Sequence, residues 1–164
     1  MQNGTETRSD GPMDNETMDN ATIQDLTERY IQYAYEVWKR GEALVRDEIG
    51  EQLTTDQLYI LRYINQRQKV TTTELADAFG VHKSAITAMI ARLTEKGLIG
   101  RTQDLQDRRI VYLNLTQEGK ELFHKLQDKV FKIINALISK FEAGEIKQFI
   151  RTYEKLAKIL REMR

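Results

Sequence analysis

The chain has 164 residues, so one domain, with or without an extension, is the expected organisation. Its 25 basic and 25 acidic residues cancel, and it contains no cysteine, which excludes disulfides, thiolate metal sites and cysteine-based redox sensing. No apolar run approaches the roughly 18 residues of a transmembrane helix, and no signal-peptide pattern opens the chain. The expectation is a soluble cytoplasmic protein with no membrane partner.

Residues 1–20 are rich in Asn, Asp, Glu, Thr and Gly and carry the only proline, Pro12. Methionines are their only large apolar residues, too few to offset the entropy of ordering, so this stretch is predicted to be a disordered acidic tail. The neutral total hides an asymmetry. Glu6, Asp10, Asp14, Glu16 and Asp19 face only Arg8 near the start, whereas Lys83, Arg92, Lys96, Arg101, Arg108 and Arg109 outnumber Glu95, Asp104 and Asp107 at the centre.

Ile23 to about Ile49 reads as one long helix. Ile23, Leu26, Tyr30, Ile31, Ala34, Val37 and Trp38 recur at helical spacing, and Leu44, Val45 and Ile49 carry the pattern past Gly41. Glycine there weakens the helix by up to about 1 kcal/mol relative to alanine, so a bend is conceivable at that point. Thr54 with Gln57 has the spacing of a capping box and opens a helix to about Gln66, with Leu58, Leu61 and Ile64 on its buried face. Thr71 with Glu74 repeats the device. The short helix that follows has Leu75, Ala78 and Phe79 as its apolar side and Gly80 to end it.

A further helix is predicted from Lys83 to about Lys96. Ile86, Met89, Ile90 and Leu93 point inward, while Lys83, Ser84, Thr87, Ala88 and Ala91 make a small, polar outer face, and Gly97 closes the helix. Two short strands follow, Leu98 to Thr102 and Ile110 to Leu115, around the polar loop Gln103 to Arg109. Val111, Leu113 and Leu115 share one face of the second strand. Asp104, Asp107, Arg108 and Arg109 gather at the hairpin tip. A helix pair with a tight turn, followed directly by a hairpin tipped with arginines, is the pattern of a winged helix-turn-helix. The fold class expected is mainly α with a small β-hairpin wing. Its second helix would fit a major groove about 12 Å wide, and a slim arginine would enter the narrower minor groove.

Beyond Gly119 the chain turns helical to its end. Leu122, Leu126, Val130, Ile133, Ile134, Leu137 and Ile138 form one apolar stripe. After a break at Phe141 to Gly144, Ile146, Phe149, Ile150, Tyr153, Leu156, Ile159 and Leu160 form another. Such helices are too apolar to stand alone in water. They either pack on the first helix of the same chain or join two chains. The second is favoured, because a dimer would set two recognition helices about 34 Å apart on a pseudo-palindrome.

Several motifs stand in a fixed order: Leu53-Thr54-x-x-Gln57, Glu74-Leu75-Ala76, Ile86-Thr87, Arg92-Leu93-x-x-Lys96-Gly97-Leu98, Arg101, Asp107-Arg108-Arg109 and Leu115-Thr116-x-x-Gly119. Together they resemble the MarR family of bacterial transcription regulators, most specifically over residues 53–119. The resemblance implies a winged DNA-binding domain at 53–119, flanked by an N-terminal dimerisation helix at 21–52 and C-terminal dimerisation helices at 120–164. It implies a homodimer on double-stranded DNA. It also implies a small, often aromatic or anionic effector between the dimerisation helices and the DNA-binding lobe, near which Tyr30, Tyr33, Trp38 and Tyr59 would stand; as ordinary core residues these need no ligand.

The candidate DNA contacts are His82, Lys83, Ser84, Thr87, Ala88, Arg92, Arg101, Asp107, Arg108 and Arg109. Ser84 and Thr87 lie one turn apart on the outer face, where a hydroxyl would reach a base edge or phosphate, or else bond its own backbone. Lys83 suits a phosphate. His82 takes the place of a helix cap, for which histidine is mediocre. By resemblance, Arg109 inserts into the minor groove with Asp107 orienting its guanidinium, and Arg108 lies on the other face of the strand against the DNA backbone. Arg92 and Arg101 match basic family positions and suit phosphates or structural ion pairs. Two residues depart from the family pattern: Ala88, which offers only apolar contact where a polar residue is common, and Leu105, where the wing often has proline.

The function expected is that of a sequence-specific regulator, chiefly a repressor, released from its operator by an effector. The alternatives are a winged-helix protein-interaction module and a nonspecific DNA binder. No GxxxxGK, GxGxxG, HExxH or GxSxG pattern occurs, and the chain has only three serines. His82 and His124 belong to separate elements. No enzyme activity, cofactor or metal is expected.

Overall fold

The computed structural model describes residues 18–67 and 69–163. The expected tail therefore lies almost wholly outside the described residues. By contacts the chain divides at Lys39 and Arg40 into two units. In the first unit, helix α1 (Asn20–Ile49) begins. It starts three residues before the expected Ile23 because Asp19 caps it: the Asp19 carboxylate accepts from the Thr22 N–H at 2.6 Å. That backbone bond, more than any other cause, holds the Asp19 carboxyl below its ordinary pKa.

In the second unit α1 continues through Gly41 to Ile49, and a single 3-10 turn (Gly50–Gln52) follows. Helix α2 (Thr55–Gln66) opens on the reciprocal cap expected. Gln57 N–H donates to the Thr54 hydroxyl at 3.2 Å, and Thr54 N–H donates to the Gln57 amide oxygen at 3.1 Å. Gln57 is buried, so this bond is also what makes its burial tolerable. Helix α3 (Thr72–Phe79) repeats the arrangement through Thr71 and Glu74. Its buried residues are Leu75 and Ala76; Ala78, expected inside, is exposed.

Helix α4 (Lys83–Glu95) buries Ile86, Ile90 and Leu93, with Met89 half-buried. Gly80 and Gly97, at φ 62° and 71°, end α3 and α4 in the left-handed region that glycine enters without strain. Past Gly97 the Leu98 N–H returns to the Leu93 carbonyl at 2.9 Å and turns the chain into the hairpin.

Strands β1 (Ile99–Gln103) and β2 (Val111–Leu115) pair antiparallel with Ile99 opposite Leu115 and Gln103 opposite Val111. Val70 adds a bridge to Leu113, whose N–H donates to the Val70 carbonyl at 2.8 Å. Ile110 falls outside the strand; its N–H closes a turn on the Asp107 carbonyl instead. The core gathers Ile60, Leu61, Leu75, Ile86, Leu93, Ile99, Leu113 and Phe123, all fully buried.

Helix α5 (Gln117–Ile138) starts at Gln117, ahead of the expected point after Gly119. Thr116 caps it by accepting from the Gly119 N–H at 3.0 Å, and also donates to the Gly97 carbonyl at 2.6 Å. Gly119 itself lies against Leu98: a Cβ there would fall on the Leu98 carbonyl oxygen and 3.2 Å from its Cα. Helix α6 (Ala143–Glu162) buries none of its residues.

Two lysines grip the last turn of α1 and the segment that follows it. Lys96, at the end of α4, donates to the Gln52 carbonyl at 2.7 Å, and Lys129 of α5 donates to the Glu48 carbonyl at 2.9 Å.

Candidate nucleic-acid interface

The outer face of α4 is built by its inner one. Once Ile86, Ile90 and Leu93 are committed to the core, Lys83, Ser84, Thr87, Ala88 and Ala91 must point to solvent, and all five are exposed. His82 stands at the N-cap, and its side chain makes no capping bond to the first N–H groups of α4. Those donors and the helix dipole favour an anion at this end.

Thr87 is already engaged. Its hydroxyl donates to the Lys83 carbonyl at 2.7 Å, the local backbone bond weighed against a base contact. Outward it offers a methyl group and an oxygen that can still accept. On its outward side it is therefore a hydrogen-bond acceptor.

The wing tip is held by main-chain bonds at both ends. Asp104 N–H donates to the Ile110 carbonyl at 3.0 Å, and the Asp104 carboxylate accepts from the N–H groups of Gln106 at 2.8 Å and Asp107 at 3.0 Å. These two backbone donors, Asp107 first, hold the Asp104 carboxyl below its ordinary pKa, with smaller help from Lys69 and the Tyr112 hydroxyl. This carboxylate turn was not anticipated from the sequence, although an aspartate two and three residues before the N–H groups it binds is its signature.

Asp107 then positions Arg109. The Arg109 Nε donates to Asp107 Oδ1 at 3.0 Å and Nη2 to Oδ2 at 2.9 Å, a bidentate pair, while the Arg109 N–H donates to the same Oδ1 at 3.0 Å. The guanidinium, followed by that N–H, lowers the Asp107 pKa, and the carboxylate raises that of Arg109. The Arg109 side chain is 91 % exposed, so the pair adds little stability; its effect is to fix the direction of the guanidinium. Arg108 and Arg109 sit in the turn before β2 rather than on the strand, which removes the face alternation expected for Arg108.

Arg92 and Arg101 are exposed and, among the described residues, form no ion pair. Arg92 and Lys96 border an open cavity of about 750 Å³ at the α1–α2 connection, together with Arg46, Leu53, Asp56, Gln57 and Glu95. None of Tyr30, Tyr33, Trp38 or Tyr59 lines it. All four are exposed rather than core residues, their burial in this chain being overturned. Among the described residues no helix is long and apolar enough to cross a membrane.

A capped helix pair, an outward polar face and a hairpin with an oriented arginine define a winged helix-turn-helix protein. Residues 53–111 match the MarR family. Proteins of this family are transcription regulators, not enzymes. The chain is 32% identical over 97 residues to the transcriptional regulator AdcR of Streptococcus pyogenes, covering 57% of this chain and 65% of that protein. It is 36% identical over 74 residues to the HTH-type transcriptional repressor MdtR of Bacillus subtilis, covering 45% and 48%. The matched region is thus less than two thirds of either relative. Mutant Escherichia coli MarR complexed with operator DNA shares the fold at a TM-score of 0.70 and 22% identity, over 78% of this chain and 93% of that one.

Proposed function

We propose that this chain is a sequence-specific, double-stranded-DNA-binding transcription regulator that acts in the cytoplasm as a homodimer, chiefly as a repressor on a pseudo-palindromic operator. The observation that carries this reading is the bidentate Asp107–Arg109 pair, which orients a charged, exposed guanidinium at the wing tip of the module whose helix α4 turns a polar face outward. In this reading α4 enters the major groove, with Thr87 and Ser84 toward base edges, Ala88 toward a thymine methyl, and His82 and Lys83 toward phosphate. Arg109 enters the minor groove, while Arg108, Arg101 and Arg92 meet the DNA backbone. The name of MdtR as a repressor supports the sign of regulation.

Residues 53–119 are then the DNA-reading domain, and 21–52 and 120–164 the dimerisation helices. The support is physical. Tyr30, Val37 and Trp38 of α1, Leu137 of α5 and Phe149, Tyr153 and Leu160 of α6 are each more than half exposed, a density of uncovered apolar groups that a second chain would bury. The cavity beside Arg92 and Lys96 is of a size for a small-molecule effector, which would release DNA by preferring a non-binding state of the dimer.

Fluorescence anisotropy tests this on DNA from upstream of the protein's own gene and on a shuffled duplex, at two salt concentrations. The expected result is a preference of about a thousandfold or more that Arg109→Ala and Thr87→Val both erode. Equal, salt-steep binding to both duplexes would mean nonspecific binding. Absence of binding together with indifference to Arg109→Ala would favour a protein-interaction module.

A further inference from the structure

Leu105 is the most exposed large apolar residue of the described chain, at 97 %, and it stands at the wing tip between Asp104 and Asp107. A leucine on a loose loop would fold back onto the nearest apolar surface. Here the backbone that carries it is fixed. The Asp104 carboxylate holds the N–H groups on the far side of Leu105, Gln106 and Asp107, and Asp104 N–H is tied to the Ile110 carbonyl. The tip is therefore a braced turn that presents one apolar side chain to water within four residues of the oriented guanidinium of Arg109. Its polar neighbours need no leucine there: Asp104 and Asp107 make their turn bonds through their own carboxylates and main-chain groups.

We propose that Leu105 is a specificity-determining contact of the wing, packing in the DNA minor groove beside Arg109 and disfavouring G·C pairs beneath it. This rests on the reading of the chain as a DNA-binding regulator. The chemistry is that of the groove floor. A·T and T·A pairs expose only acceptors and sugar C–H surface there, whereas guanine adds its N2 amino donor. An isobutyl group over that amine strips its water and returns no acceptor, which penalises G·C. Over A·T the same group buries its apolar surface against the deoxyribose walls and leaves no donor unpaired.

The test uses the full chain and a duplex that it selects from a random-sequence pool, with variants Leu105→Ala, Leu105→Gln and Arg109→Ala. Leu105→Ala is expected to bind the selected duplex about fivefold more weakly, with an unchanged dependence on salt, because a hydrocarbon contact releases no counterions. Placing G·C under the wing should cost wild type about tenfold and Leu105→Gln much less, since the glutamine oxygen can accept from N2. Arg109→Ala should instead flatten the salt dependence. Thermal unfolding should be the same for wild type and both Leu105 variants, the side chain having no contacts to lose. If Arg109→Ala weakens binding while both Leu105 variants match wild type in affinity and base preference, the role of Leu105 is refuted and the regulator reading stands. If wild type enriches no sequence, the regulator reading fails and this inference with it.

Discussion

Gly41 and Gly119 are both helical glycines, and replacing each by alanine should change stability in opposite directions. At Gly41 a Cβ meets nothing within 4 Å, so alanine gains its full helix preference, up to about 1 kcal/mol. At Gly119 the new Cβ falls on the Leu98 carbonyl oxygen, a backbone atom that cannot rotate away. Relief requires the first turn of α5 to separate from Leu98. That breaks the 3.1 Å bond from Thr116 N–H to the same carbonyl and strains the 2.6 Å bond from the Thr116 hydroxyl to Gly97. A lost hydrogen bond of about 1 kcal/mol and an overpacking cost of about 1–3 kcal/mol exceed the helix gain, leaving a net loss of about 1–3 kcal/mol. For a chain of this size that lowers Tm by roughly 2–10 °C. Thermal and urea unfolding at one fixed protein concentration would measure it, since association couples to apparent stability. A Gly119→Ala protein as stable as wild type would refute the close approach of α5 to Leu98.

Thr87→Ser should retain DNA preference and Thr87→Val should lose it at one base pair, by about 1–3 kcal/mol, because only the hydroxyl oxygen can accept; competition binding with single-base variants of a selected duplex would show it. Leu61→Ala, at a fully buried position of α2, should cost about 2–5 kcal/mol in urea unfolding. The carboxyl of Asp107 should titrate below its ordinary 3.8 in an NMR pH series, and Arg109→Ala should raise the midpoint toward that value. The sign follows from the lowered pKa: the pairing contribution is complete above 3.8 and is lost as pH falls through the depressed value, so order at the wing tip should decline only in that acidic range.

The parts of the fold that were legible were those written in local chemistry. Thr54 with Gln57 and Thr71 with Glu74 specify helix starts by pairing two backbone donors with two side chains. Gly80 and Gly97 mark stops that only a left-handed residue makes easily. Ile86, Ile90 and Leu93 fixed which face of α4 would be left outward. Capping by single residues was harder to see. Asp19 and Thr116 each start a helix earlier than the apolar pattern did, because a cap precedes the first buried side chain by several residues. Ala76 and Ala78 were exchanged because a methyl group is too small to signal a face. Tyr30 and Trp38 are uncovered for a different reason: apolar spacing shows that a face wants burial but not in which chain.

The lysine tethers at the α1–α2 connection bear on how this sequence can drift. Lys96 and Lys129 both donate to main-chain oxygens, those of Gln52 and Glu48. Every amino acid supplies that oxygen, so the main-chain tethers survive replacement of the side chains at 48 and 52, the half-exposed Lys129–Glu48 ion pair at 3.8 Å adding little to them, whereas positions 96 and 129 must keep a long cationic donor. Variation among descendants of this chain should therefore be lopsided, free on the receiving residues and restricted on the giving ones, with the anchorage inherited intact beneath a changing surface.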